Sequence, residues 1–297
     1  MSKACLPSTG KPYGVERVCR LAGYPRSSFY AQGVCQEGER PQAKKRGPRC
    51  VISDLELLEH FHKDLEESPF HGEGHRKVWA RLKYGQGFHI SRKRVLRLMR
   101  EHHLLSPYRR PQGNPKLHTG EITTKAPNLM WGTDATRVFT LEDGYAWVFA
   151  AVEHWNAECV GWHVCKRGDR FAAMEPVLMG LGESFGSVKA DIGRGLCLRM
   201  DHGTQYLSDY FQNQLRYWGI TRSFAFLEEP QTNGVVERFF RTLKEQVIYG
   251  TPFRNIKELR EAIKTFIHHY NTQWQIEKNG FLSPRQAREA CLAKEAA

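Results

Sequence analysis

From residue 131 onward the chain alternates short runs rich in β-branched and aromatic residues with tight polar turns, and that succession limits it to a sheet-based fold. Residues 131–141, 145–153 and 159–166 read as three successive strands, joined by the turn Glu142-Asp143-Gly144 and the connection His154-Trp155-Asn156-Ala157. Connections this short leave no room for a crossover, so the three form an antiparallel meander. A helix over residues 170–181, a strand over 196–200, a helix over 208–218, a strand over 221–226 and a long helix over about 234–249 follow. The second half is therefore a mixed α/β core spanning residues 131–250, with a helical C-terminal extension over 251–297.

The first half has a different texture. Residues 1–120 carry 23 Lys and Arg against 11 Asp and Glu, whereas residues 121–297 carry 21 of each, so the whole net charge of +12 lies in the first 120 residues. A basic segment so segregated suits neutralisation of nucleic-acid phosphates. Residues 14–30 read as helix, glycine-containing turn and second helix within a segment 1–40, with Ser27 or Ser28 as cap and Val15, Val18, Leu21 and Ala22 on one face. Arg26 then stands near the front of a recognition helix. Residues 41–50, Pro-Gln-Ala-Lys-Lys-Arg-Gly-Pro-Arg-Cys, form a basic linker able to lie along phosphates or simply to be solvated.

Residues 51–106 hold three further helices, over 52–65, 75–83 and from Ser91. The last, Ser91-Arg-Lys-Arg-Val-Leu-Arg-Leu-Met-Arg100, has Ser91 as its N-cap and Val95, Leu98 and Met99 as its buried stripe. Arg92, Arg94 and Arg97 cover the remainder as a groove-reading face or a solvated one. Residues 107–130, rich in proline and glycine, mark a second linker. The eight cysteines include no Cys-x-x-Cys pair, and His71 with His75 lacks the partners of a zinc site. No apolar run approaches the roughly 18 residues of a membrane span and no secretion signal opens the chain, so the expected location is the cytoplasm, against the nucleoid.

Three acidic residues sit in distinct settings of the second half: Asp134 in Trp131-Gly-Thr-Asp-Ala-Thr136, Asp201 in Asp201-His-Gly-Thr-Gln-Tyr206, and Glu237 in Asn233-Gly-Val-Val-Glu-Arg-Phe239. The first lies within a strand and the second at a strand end, where ligands of α/β sheets gather. Glu237 rides an early turn of the long helix, whose core stripe is Val236, Phe240, Leu243 and Val247, while Glu237, Arg241 and Lys244 line a second stripe. Converging carboxylates raise one another's pKa unless cations neutralise them, which points to a hard divalent metal.

Together these motifs resemble the DDE transposase and integrase superfamily, and within it the second-frame transposases of two-reading-frame bacterial insertion sequences, the IS-three family. The resemblance runs from Val18-Cys-Arg-Leu-Ala22 and Ser27-Ser-Phe-Tyr30 through His71-Gly-Glu-Gly-His-Arg-Lys-Val-Trp79 to the three acidic motifs. It implies a ribonuclease-H-like integrase core with a mixed five-stranded sheet, preceded by a helix-turn-helix DNA-binding region. It further implies Asp134, Asp201 and Glu237 as catalytic metal ligands for two Mg2+ or Mn2+ ions, and Lys244 as a contact to the element end. Implied partners are double-stranded element ends and target DNA, further copies of the chain on paired ends, and a fusion to the upstream-frame product. The chain departs from the family pattern at Glu153, where aspartate is usual, and at Trp274 and Ile276, where arginine and histidine are usual. A non-catalytic DNA-binding regulator of transposition and a host ribonuclease of similar fold are the alternative readings.

Overall fold

The computed structural model describes residues 7–34, 52–106, 122–224 and 233–295, which fall into two compact units, Met1–Ser53 and Asp54–Ala297. The basic linker at 41–50 and residues 107–121 of the second linker lie outside the described residues.

In the first unit, α1 (Val15–Leu21) and α2 (Arg26–Val34) meet at a turn in which Gly23 takes a φ of 62°. The sequence reading of this unit needs two corrections. The second helix starts at Arg26, after Pro25, whose carbonyl accepts from the backbone N–H groups of Ser28 (3.1 Å) and Phe29 (3.2 Å), so neither Ser27 nor Ser28 is the cap. Cys19, with Val15 and Val18 partly covered, is the buried position of α1, while Leu21 is 80% exposed and Ala22 is also exposed. Proline's fixed φ suits it to a helix start, and that outweighs the serine cap signal.

The second unit opens with α3 (Asp54–Glu67), α4 (His75–Ala80) and α5 (Arg92–Glu101), with a π turn over Arg81–Gly85 following α4. Leu57 and Phe61 of α3, Val78 and Trp79 of α4, and Val95, Leu98 and Met99 of α5 are buried. Ser91 caps α5 as its sequence predicts, its side chain accepting from the Arg94 N–H at 3.2 Å.

The sheet comprises β1 (Met130–Thr140), β2 (Gly144–Glu153), β3 (Cys159–Cys165), β4 (Cys197–Met200) and β5 (Thr221–Phe224) in the order β3-β2-β1-β4-β5. β1, β2 and β3 pair antiparallel, and β4 and β5 are parallel to β1. This meander with two parallel strands added beside β1 is the ribonuclease-H-like arrangement expected from the sequence. One face packs on α6 (Arg170–Phe185) and α8 (Asp209–Tyr217), through Trp131, Phe149, Ala173, Val177, Phe211 and Leu215. α7 (Thr204–Leu207) leads into α8. The other face packs on α9 (Gly234–Leu243) and α10 (Ile256–Gln273), through Val148, Ala150, Phe239, Leu243, Ile263 and Phe266. The sheet's core thus continues past residue 250 into α10, which closes one side of it, before α11 (Pro284–Glu295) ends the described chain.

Further helices differ from their sequence expectation, α4 giving way at Arg81 to a π turn where one helix is expected over 75–83. α6 runs through Pro176 to Phe185, and the helix at 234 gives way at Lys244 to a π turn over Lys244–Ile248. Among the described residues no helix is long and apolar enough to cross a membrane.

Candidate active site

The register of β1 and β4 builds the site. Their parallel pairing sets Met130 against Cys197, Trp131 against Leu198 and Gly132 against Arg199. Carried two residues further, the same offset brings Asp201, the residue after β4, alongside Asp134. In-register neighbours on parallel strands share a face. Asp134 pairs across the antiparallel ladder with Ala150, whose side chain belongs to the core beneath α9 and α10. α9 buries Val236, Phe239, Phe240 and Leu243 on that same face of the sheet, which leaves Glu237 outward on its first turn.

Thr133 fastens the three motif segments together. Its hydroxyl donates to the Ala150 carbonyl at 3.1 Å and lies 3.5 Å from the Tyr206 hydroxyl, and its own carbonyl accepts from the Asn233 amide at 3.4 Å. Tyr206, fully buried, thereby ties the loop after Asp201 to β1, and Asn233 ties the start of α9 to the same strand. The Tyr206 carbonyl is held in turn by the Gln212 side chain at 2.7 Å. Gly132 allows this closeness: a Cβ there would stand 2.8 Å from Asn233 Oδ1 and 3.1 Å from His154 Nε2. Asp201 Oδ1 accepts from the Gly203 N–H at 2.9 Å and Asp134 Oδ1 from the Ala135 N–H at 2.7 Å, so each aspartate is turned by its own backbone.

Burial pushes Asp134 up to about 6, assisted by the negative charges of Asp201 and Glu237 and opposed by the Ala135 N–H and the Lys244 ammonium. That set of influences marks out the group: Asp201, Glu237 and Lys244 all act electrostatically on Asp134. Burial also raises Glu237. Among the described residues no group of three His, Cys, Asp or Glu side chains is arranged to hold a metal ion as it stands.

The other predicted residues lie elsewhere. Arg241 is exposed on α9, 4.0 Å from Glu245. Arg92 pairs with Glu277 at 2.8 Å and stacks over Trp79. Arg94 and Arg97 share Asp54, at 2.6 and 2.7 Å, and Arg97 also holds Glu101 at 2.8 Å. Arg26, in the first unit, sits 3.5 Å from Glu16. Glu153 is a structural acid, accepting from the Asn128 N–H (2.6 Å), the Trp131 indole (3.1 Å) and the Trp155 N–H (3.1 Å). Trp274 is buried against Phe70 and Tyr270.

Several contributors escaped sequence reasoning. Tyr206 and Asn233 stand in the quoted motifs, but nothing local reveals that both reach Thr133. Arg199 and His154 carry no motif at all, yet both are buried beside Gly132, where burial together with the cations Lys278 and Arg199 lowers His154 to about 4.

Comparison with known proteins agrees with this architecture. Residues 219–274 match the integrase core domain and residues 71–112 match the HTH-like domain. The putative transposase InsK for insertion sequence element IS150 of Escherichia coli (strain K12) is 28% identical over 273 residues, 88% of each chain. Transposase InsD for insertion element IS2D of the same strain is 28% identical over 249 residues, 78% of each chain. The HTLV-2 integrase catalytic core domain in complex with magnesium covers 55% of this chain and 98% of its own at 18% identity and a TM-score of 0.42, too loose a likeness to carry weight. The domain matches give the chain a segment similar to the integrase core domain and, ahead of it, a segment similar to the HTH-like domain. Both of these relatives are named as transposases of insertion elements.

Proposed function

We propose that this chain is a DNA transposase that cleaves insertion-element ends and joins the freed 3′-hydroxyls to target DNA. The observation that supports the reading is the β1–β4 register, whose offset, extended two residues past the paired stretch, sets Asp201 level with Asp134, while Glu237 of α9 and Lys244 of the π turn after it act on the Asp134 charge. In this reading Asp134, Asp201 and Glu237 are the ligands of divalent metal, two Mg2+ or Mn2+ ions per site. Asp134, whose proton affinity burial and the charges of Asp201 and Glu237 raise, forms with those two acids a hard, anionic donor set suited to such ions. When bound, the ions supply activation of the attacking oxygen and neutralisation of the leaving one.

The chain's own groups do the rest. Water attacks the phosphorus at the element end and releases a 3′-hydroxyl, which then attacks a target phosphodiester and displaces a second 3′-oxygen. No covalent bond to the protein forms. Lys244 and the exposed Arg241 hold phosphates beside the carboxylates, and Tyr206 and Asn233 keep the Asp201 loop and α9 in register with β1. Arg26, Arg92, Arg94 and Arg97 serve end binding, the last two by exchanging Asp54 for phosphate. Paired ends call for further copies of the chain, acting alone or as a fusion to the upstream-frame product. The work takes place in the cytoplasm, on the nucleoid.

The test is a strand-transfer assay with purified protein, element-end duplex and Mg2+. Wild type is expected to join ends to target, with Asp201→Asn and Glu237→Gln reduced by at least about 100-fold. End binding with no joining by wild type would instead leave the non-catalytic regulator.

A further inference from the structure

The sheet face opposite Asp134 is uncovered at the far ends of β1 and β2. Strand alternation sets Arg137 and Phe139 on that face, and the antiparallel ladder pairs them with Trp147 and Tyr145. Phe139 is 56% exposed and Tyr145 59%, with Leu141 beyond them at 67%. The groups interleave: the Phe139 ring meets Tyr145 edge-on at 5.4 Å, and the Arg137 guanidinium lies 5.4 Å from the Tyr145 ring and 5.5 Å from that of Trp147. Gly168 lies so close upon the Trp147 ring that a Cβ there would approach it to 2.4 Å. The line continues through Phe171, with Arg170 5.0 Å above its ring, to Tyr210 of α8 at 4.7 Å.

On this surface the cations outnumber the acids, which are Asp169 and Glu175. Arg137, Lys166, Arg167 and Arg170 are all exposed along it, and Lys166 Nζ reaches the hairpin turn at Gly144. Asp169 is engaged as the cap of α6, accepting from the N–H groups of Phe171 (3.0 Å) and Ala172 (2.9 Å). Accessible rings alternating with guanidinium and ammonium groups match bases and phosphates repeating along a strand. A duplex hides its base faces within the stack and offers only their edges. The line also ends usefully, since Tyr210 lies four residues beyond Tyr206 of the Asp201 loop.

We propose that this aromatic and arginine-rich surface is a second nucleic-acid site, which takes a single strand with unstacked bases. Its rings stack on the bases and Arg137, Lys166, Arg167 and Arg170 hold the phosphates. The site needs no metal and none of the three carboxylates, so it stands or falls separately from the transposase reading.

The test is fluorescence anisotropy of a labelled oligo-dT strand with the full chain in EDTA, beside a duplex control. Tyr145→Ala and Arg137→Glu, both at exposed positions, are each expected to weaken single-strand binding about tenfold and to leave duplex binding within twofold. A photoreactive 5-iodouridine strand is expected to crosslink at the exposed Tyr145. Unchanged single-strand affinity in both variants, with their melting temperatures intact, overturns the proposal. So does a change in sedimentation mass of the free protein without a change in binding, which would make the surface an interface between copies.

Discussion

Asp134 concentrates the chemistry of this molecule in one side chain. Its proton affinity is raised by burial and by two neighbouring acids, so in the metal-free protein the folded state holds the proton more tightly than the unfolded chain does. The sign follows: this residue costs no stability below about pH 4, and its cost grows as pH rises toward 6 and stays constant above. Asp134→Asn should therefore stabilise the metal-free protein at pH 8 by roughly 1 kcal/mol, a few degrees in melting temperature, and change little at pH 4. Differential scanning fluorimetry in EDTA at both pH values checks this; an equal shift at both contradicts it. Metal binding should conversely weaken as pH falls below about 6, where protons compete for the same oxygens. The acidic residues themselves were legible because each stands in a distinctive local motif. The partners that hold them were not, because Tyr206 and Asn233 meet Thr133 across 73 and 100 residues of chain. The mistaken serine cap of α2 has the opposite origin, a local signal displaced by the proline beside it.

At the scale of elements, the meander and the two parallel strands were readable from alternation and turn chemistry, and the strand edges fell within a few residues of expectation. The helices were less so. α6 continues through Pro176, whose carbonyl faces Gly161 of β3 so closely that a Cβ there would collide with it at 1.9 Å. Backbone against backbone cannot relax as a side chain can. Gly161→Ala should accordingly cost about 3 kcal/mol, read as a lower urea midpoint with an unchanged m-value, and a midpoint within error of wild type would contradict this contact. The apolar stripe of α9 fitted one unbroken helix, yet the π turn at Lys244 interrupts it. A period of 3.6 read from sequence does not reveal one added residue per turn. Lys244 sits at the first position of that turn, half-buried, and is the cation that Asp134 feels.

For the molecule as a whole, the partition of charge at residue 120 was visible in the sequence, but the reach of the core was not. α10 looks like a detachable extension because its motif content is thin, whereas its buried Leu259, Ile263, Phe266, Ile267 and Tyr270 close one face of the sheet. Five such side chains contribute on the order of 10 kcal/mol of burial, comparable to the full stability of a domain. A chain ending at Tyr249 should show no cooperative thermal transition by circular dichroism; a sharp melt would contradict this. The C-terminal turn also seats the helices ahead of the core, with Glu277 holding Arg76 (2.7 Å) and Arg92 (2.8 Å) and Phe281 packed against Trp79. Trp274 and Ile276 flank this contact. The central claim is that the carboxylates on β1, just after β4 and on α9 act through divalent metal in strand transfer. Its most direct test is Asp201→Cys, assayed for strand transfer in Mg2+ and again in Mn2+, since a thiolate accepts the softer ion and rejects the harder one. The account predicts loss of activity in Mg2+ with partial recovery in Mn2+; activity in Mg2+ equal to wild type, or equal residual activity in both ions, would contradict it.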